Sequence, residues 1–354
     1  MIVLGIIFRC LDAMMILGAA GTERSIFVNP LGKKRESLEA RHPFSQNSES
    51  DHITFLNAYR MMRDTAAYEG SEAAEEIAHE YFIHYGTFKN IEATTREIER
   101  VLVAAGLIPY SAPADRYNNE LGDRSVNETS SNSTLIKALL TASSPTNLAI
   151  AISPHRLRTA SSDLPTVIHP ASIKGLKAKA NRSKLTRNDL YMYNAMSKSN
   201  DGKHLFLRDV SPVSPLTAIL FGEHLQKKGV SGPARRTLEL NKWLPLLVKG
   251  EHDAPKILLK YRAALDQVLS STFQDLSSRR RTDEEEEREG DEREYLADDS
   301  LRAFFVDGVV DLLDRDAAKR TNQEAEVSDS FRNSGDDIGL GPLQSFRRVH
   351  SGCL

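Results

Sequence analysis

Three groups of side chains in this sequence have types and spacings that chemistry can use. His79-Glu80 and His84 offer the parts of a zinc-hydrolase helix, two imidazoles for the metal and a carboxylate as base. The spacing fails, because two His on one helix face must stand four residues apart to share a metal, and here they stand five apart. They are therefore read as a partly exposed helical pair. Asp51-His52 places a carboxylate beside an imidazole, an acid/base pair by type. The third group is cationic: Lys174, Lys177, Lys179, Arg182, Lys184 and Arg187 follow His169 in a stretch with no acid between Asp163 and Asp189. Clustered cations of this kind displace counterions from a phosphate backbone.

Phosphoryl transfer needs a Gly-rich loop with Lys and Ser/Thr on the phosphates and an acid on magnesium. The sequence has no such loop, and the acidic run Asp283–Glu287 lacks the strand context of a metal-binding acid. No ATPase or helicase motif is present, so the sequence assigns the chain no enzymatic activity. Asn127-Glu128-Thr129, Asn132-Ser133-Thr134 and Asn181-Arg182-Ser183 match the glycosylation pattern. That pattern arises often by chance and needs a secretory route, so it is set aside.

These groups sit in a chain of 354 residues, long enough for two domains and a sizeable core. Forty-six Lys and Arg against 49 Asp and Glu give a net charge of -3, which argues neither for nor against nucleic acid; local charge must decide. Cys10 and Cys353 are the only cysteines, so neither a disulfide framework nor a four-cysteine zinc site can be built. A reducing, intracellular location, cytoplasm or nucleus, is expected. Met1 to Ala20 is apolar, but Arg9 and Asp12 interrupt it and no Lys or Arg precedes it. A charge at a bilayer centre costs about 3 kcal/mol, so a buried core helix is expected and no membrane partner. Cys353 has one residue after it where prenylation needs three.

Apolar residues at intervals of three and four run from Phe55 to Leu107 and predict helices, with Ser71, Glu72 and Glu75 as a helix start and Gly106 as a stop. Tyr110–Ser131 is polar and reads as a loop with little order. Leu135 to Ala151 reads as a helix. Strands are predicted at Thr166–His169, Leu190–Ala195, Leu205–Val210 and Trp243–Val248, then a helix from Ala254 to Phe273. Beyond Ser278 the charge runs predict a solvated tail, with one short helix over 301–314 that docks back on the body.

Several segments, in order, resemble the C-terminal accessory region of DEAH/RHA-type ATP-dependent RNA helicases. Arg9-Cys10-Leu11-Asp12 is similar to the family's Cys-Leu-Asp-Pro helix, with Ala13 where Pro is usual. Ser50-Asp51-His52-Ile53 and Leu56-Asn57-Ala58-Tyr59 resemble its Ser-Asp-His-Leu and Asn-Ala-Tyr pattern. Asn132 to Ala138 resembles the helix leading into an Ala-Gly-Leu-Tyr-Pro-Asn stretch; Ala142 and Asn147 keep its ends, while Ser143, Ser144, Pro145 and Thr146 replace its middle. Val167-Ile168-His169-Pro170-Ala171-Ser172 and Phe206 to Leu216, closed by Leu220-Phe221-Gly222, resemble two OB-fold signatures.

The resemblance covers roughly Ile6 to Ser277 and implies an α+β chain. A helical helicase-associated domain (1–109) with an insertion (110–131) runs through 132–160 into a small OB-fold β-barrel with its C-terminal helix (161–277), then a disordered acidic tail (278–354). Asp51-His52 becomes structural, orienting a helix start. OB-folds bind single strands with a cationic groove and stacking aromatics. The implied RNA contacts are His169, Arg208 and the cations from Lys174 to Arg187, with Tyr191, Tyr193 and Phe206 available for stacking. The implied partners are single-stranded RNA and helicase motor domains or a helicase-activating protein. The motor domains would lie before Met1, so a truncated or split product, or an incomplete gene model, is expected. ATP and magnesium are expected only with them, and no cofactor in this chain. The alternative is a protein-interaction module docking on a helicase or its activator through the tail and Phe304–Leu313.

Overall fold

The computed structural model describes residues 1–46, 48–161, 164–175, 185–228, 236–249, 251, 253–282 and 300–333, of which 115, 276–282, 300–302 and 323–333 as backbone alone. The apolar N-terminal run folds as two helices, α1 (Ile2–Ile7) and α2 (Leu11–Ala20), not as one. The break falls at Arg9, in the left-handed region at φ 51. Its guanidinium pairs with Glu128 at 3.1 Å and with Asp307. Asp12 is fully buried, and Arg63 holds its carboxylate through bonds of 2.6 and 3.3 Å. The two charges that interrupt the apolar run are thus both ion-paired, Asp12 in the interior and Arg9 nearer the surface. Among the described residues no helix is long and apolar enough to cross a membrane.

Short helices α3 (Lys34–Glu39) and α4 (His42–Ser45) lead to α5 (Asp51–Tyr68), α6 (Ser71–Glu80) and α7 (Tyr85–Ala104). The three-and-four pattern buries Leu56, Tyr59, Met62, Phe88 and Ile91 in one core. Ser50 caps α5, its Oγ accepting the Ile53 N–H at 3.2 Å. Ser71 is the first residue of α6 rather than its cap; Gly70 precedes it at φ 97. Gly106, at φ 65, ends α7 as expected: its N–H reaches the Val103 carbonyl and that of Leu107 the Leu102 carbonyl, each at 3.0 Å, which satisfies carbonyls the helix leaves open.

Residues 110–131 overturn the expectation of little order. Three single turns of 3₁₀ helix lie at Pro113–Asp115, Tyr117–Asn119 and Arg124–Val126. Leu121 and Val126 bury against Ile6, Leu11 and Met15. The backbone polar groups that burial strands are taken up by distant side chains: Asp12 accepts the Leu121 N–H at 3.0 Å, and Glu99 that of Gly122 at 2.7 Å.

The helix expected over Leu135–Ala151 is shorter: α8 spans Ser133–Ser143, and strand β1 already runs Leu148–Ser153. Pro145 disfavours helical backbone at Ser144, and a turn from Asn147 N–H to Ser144 carbonyl at 3.0 Å starts the new direction. With β2 (Arg156–Thr159), β3 (Thr166–Ile168), β4 (Leu190–Lys198) and β5 (Leu205–Val213), β1 closes a barrel in the order β1-β2-β3-β5-β4. All neighbours are antiparallel except β3 and β5. Ala149, Leu157, Tyr191, Tyr193, Leu207 and Val210 fill its interior.

Helix α9 (Pro215–Phe221) follows, capped by Ser214, which accepts the Thr217 N–H at 3.0 Å. Gly222 ends it where a Cβ would stand 2.4 Å from the Ala218 carbonyl oxygen, so only glycine fits. A three-stranded sheet of β6 (Leu225–Lys228), β7 (Thr237–Leu240) and β8 (Leu244–Leu247) packs beside the barrel. Arg158 of β2 ties the two together, donating to the Trp243 carbonyl at 3.0 Å.

Helix α10 runs Ala254–Thr282, longer than the expected Ala254–Phe273, and its Arg262 donates to the carbonyls of Ile219 and Gly222 at 2.8 and 3.0 Å. The tail beyond Ser278 is not uniformly disordered. A long helix, α11 (Ser300–Asn333), extends past both ends of the expected 301–314. It docks on the body, burying Val306, Val309 and Leu313. Phe305 stacks on Tyr261 at 5.5 Å, and Asn132 donates to Asp314 at 2.9 and 3.0 Å. The docking expected of 301–314 is found, and three apolar side chains at helical spacing hold the helix on the body. Asp283–Glu287 and the chain end from 334 lie outside the described residues.

Candidate nucleic-acid interface

The start of α5 plugs directly into the barrel. Asp51 accepts the backbone N–H of Ile173 and that of Val210, each at 2.8 Å. Asp209, at φ 51, interrupts the β4–β5 ladder and frees the Val210 N–H for that bond. Ser50 Oγ meets Ser211 Oγ at 2.6 Å, and Ser211 Oγ meets His52 Nδ1 at 2.8 Å. Burial pushes the Asp51 carboxyl up to about 6, opposed by its two backbone donors, and burial pushes His52 below the usual imidazole value. Three consecutive side chains thus lock a helix start to the barrel, and Asp51-His52 is structural here.

His169 follows β3 at the same junction, half-buried, with its ring edge-on to Phe206 at 5.4 Å. Its Nδ1 accepts the Ala171 N–H at 3.1 Å. Burial first, and then the Arg208 charge, hold it below the usual imidazole value, so the ring is neutral at pH 7. Arg208 is exposed on β5 and donates to Ser197 at 3.0 Å. Val167↔Phe206 and Ile168↔Leu207 pair in parallel, so the two resembled signatures lie side by side on one part of the barrel.

The basic cluster is not placed as one surface. Lys174 is buried at 5% exposure and ion-paired with Glu49, which corrects its reading as a loop cation. The Glu49 carboxylate is 125 residues away in sequence, so no local pattern signals the pair. Arg187 is exposed just before β4. Lys177, Lys179, Arg182 and Lys184 lie outside the described residues. Tyr191 and Tyr193 are 1% and 2% exposed inside the barrel, whereas Phe206 is half-buried. The helical pair expected of His79 and His84 is split between two helices: His79 lies in α6, while His84 caps α7, its Nδ1 accepting the Thr87 N–H at 3.0 Å.

Between the N-terminal helices and the barrel opens a cavity of about 310 Å³. His169, Arg208 and Asp51 line it, together with Phe27, Arg41 and Phe55, which sequence reasoning did not single out. Arg41 lies in a short connecting segment before His42-Pro43, with no periodicity to mark it.

Residues 1–55 match the ratchet-like helicase associated domain (HA2). The chain is 31% identical over 229 residues to ATP-dependent RNA helicase dhx29 of Xenopus laevis, covering 63% of this chain and 16% of that protein. It is 24% identical over 250 residues to ATP-dependent DNA/RNA helicase DHX36 of Bos taurus, covering 69% and 23%. The chain matches the C-terminal region of a DEAH-family helicase. To DExH-box ATP-dependent RNA helicase DExH1 of Arabidopsis thaliana it is 29% identical over 228 residues, 64% of this chain and 21% of that one. The chain therefore corresponds to about a fifth of the length of these helicases, and to their helicase-associated accessory part.

Proposed function

We propose that this chain is the RNA-contacting accessory region of a DEAH/RHA-type RNA helicase, in which an OB-fold and the ratchet-like helices together hold a single strand leaving the motor. The barrel supports the OB-fold reading: five strands in the order β1-β2-β3-β5-β4 with one parallel pair suit the small barrel of an OB-fold, a fold that binds single strands. The observation that supports the RNA reading is that His169 and Arg208 both line the junction cavity, with the Phe206 ring edge-on to that of His169. A neutral imidazole and a phenyl ring offer stacking surface, and the guanidinium beside them offers a phosphate contact. Arg187 and the cations Lys177, Lys179, Arg182 and Lys184 extend the contact in this reading. ATP and magnesium enter with the motor domains of the family, so the chain alone binds and does not unwind.

Fluorescence anisotropy of the purified chain with labelled single-stranded and duplex RNA, across a salt series, tests the reading. Preference for the single strand, with affinity falling linearly in log salt, is the expected result. Absence of single-strand binding at low salt overturns it.

A further inference from the structure

The fold pairs its buried cations with care. Three cationic residues are buried among the described residues, Arg41, Arg63 and Lys174. Arg63 is bound to Asp12 and Lys174 to Glu49. Arg41, at 6% exposure, has no ion pair among the described residues. Its Nη2 donates to the neutral Asn29 side chain at 2.7 Å and its Nη1 to the Ala171 carbonyl at 3.4 Å, while its Nε is buried with no hydrogen-bond partner among the described residues. The Phe27 ring lies under the guanidinium at 4.7 Å. Asp51 lines the same cavity, but both its oxygens already accept backbone N–H groups. A buried charge without a bound counter-charge is costly, and where Arg63 and Lys174 each have a carboxylate bound, Arg41 has none among the described residues and is acted on only by the charge of Asp51, which lines the same cavity.

We propose that this cavity binds one nucleotide unit, with its phosphate on the Arg41 guanidinium and its base against Leu17, Phe55 and Met192. The choice of ligand rests on the RNA reading above; the need for an anion does not. A planar guanidinium that lines the cavity without a bound carboxylate suits a phosphate oxygen, and the volume of about 310 Å³ lies at the lower end of ligand pockets, which run from about 300 to 1,000 Å³. The apolar wall suits a base, Met192 being 2% exposed and Leu17 6%. At the rim the exposed Arg24 and Arg208 oppose Glu23 and Asp209, so the buried Arg41 decides the preference for an anion.

The test compares the full chain with Arg41→Gln and Arg41→Lys by thermal unfolding with uridine 5′-monophosphate or inorganic phosphate, and by anisotropy with an oligouridylate. The free Arg41→Gln chain is expected to melt at the same temperature as the parent or higher, because a buried charge with no bound carboxylate is gone. It should lose stabilisation by uridine monophosphate and bind the oligouridylate about tenfold more weakly, with Arg41→Lys between. Protection by the oligouridylate but not by the mononucleotide supports a unit within a strand; equal protection by both supports a free nucleotide. If the parent binds the oligouridylate and Arg41→Gln binds it equally well, the cavity proposal falls and the RNA reading stands. If the parent binds no RNA yet is stabilised by the mononucleotide through Arg41, the RNA reading falls and the cavity stands. A free Arg41→Gln chain that melts well below the parent, with mononucleotide stabilisation intact, makes Arg41 structural and overturns the proposal.

Discussion

Asp51 accepts the backbone N–H of Val210 at 2.8 Å, across 159 residues of sequence, and this bond joins the helical part of the chain to the barrel. The same carboxylate holds the Ile173 N–H at 2.8 Å. Asp51→Asn keeps the shape and exchanges one acceptor for a donor, leaving one backbone N–H unpaired. A loss of about 1–3 kcal/mol is expected, and more for Asp51→Ala, which strands both. Urea unfolding measures it. Full stability in Asp51→Ala would mean that water replaces the carboxylate and that the junction is held elsewhere.

A second prediction concerns pH. The Glu120 side chain, 12% exposed, stands 3.6 Å from Arg60, which also reaches Asp12 at 3.5 Å. Burial first, and then the Asp12 charge, push Glu120 up from 4.5 to about 7. A raised carboxyl keeps its proton in the folded state after the unfolded chain has released it. Its stabilising contribution is therefore complete below about pH 4.5 and is lost as pH rises through about 7. Glu120→Gln mimics the protonated form at every pH. Its melting temperature should match that of the parent near pH 4.5 and exceed it at pH 8; parallel curves across that range would remove Glu120 from the account.

The helices were legible in sequence because their apolar spacing is local, and Gly106 stops α7 where the pattern runs out. Strand β1 was not. Leu148-Ala149-Ile150-Ala151 is a continuous apolar run, buried on both faces between the barrel interior and the helices, so it shows no alternation to separate it from the end of α8. Tyr191 and Tyr193, two residues apart on β4, share its barrel-facing side, while Met192 between them packs with the helices. In 110–131 the ordering groups are Asp12 and Glu99, 109 and 23 residues from the amides they hold, which no local reading of polarity can find. Lys174 repeats the lesson at the site: it reads in sequence as one of a cluster of RNA-contacting cations, and its surroundings are set by Glu49, 125 residues away.

The C-terminal helix offers a third prediction. Val309 is fully buried and Leu313 is 1% exposed where α11 lies on the body, with Asp307 bound to Arg9. A carboxylate at either apolar position would have to be buried unpaired, so Val309→Asp should detach the helix and cost several kcal/mol. Hydrogen exchange across Ser133–Ser143, the α8 segment beneath it, should speed up in the variant. Phe304, 81% exposed on the same helix, supplies the comparison: Phe304→Ala should leave both stability and exchange near the parent values.

The last prediction separates cations that touch RNA from cations that hold the fold. Arg187 and Arg208 are exposed, and neither is ion-paired among the described residues. Arg187→Gln and Arg208→Gln should each weaken single-strand binding and lower the slope of log affinity against log salt by up to about one, because a phosphate that no cation neutralises keeps its counterion. Phe206→Ala should weaken binding by about 1–3 kcal/mol with the slope unchanged, since stacking releases no ions. Lys174→Gln should do the opposite of all three. Removing Lys174 takes away a buried ion pair of Glu49, so the melting temperature should fall while the salt slope of the chain that remains folded stays at the parent value. Anisotropy titrations at several salt concentrations, each with a parallel melting curve, resolve the two patterns. A Lys174→Gln chain of parent stability with a flattened slope would return Lys174 to the RNA-contacting set, and unchanged slopes for Arg187→Gln and Arg208→Gln would take this face of the barrel out of it.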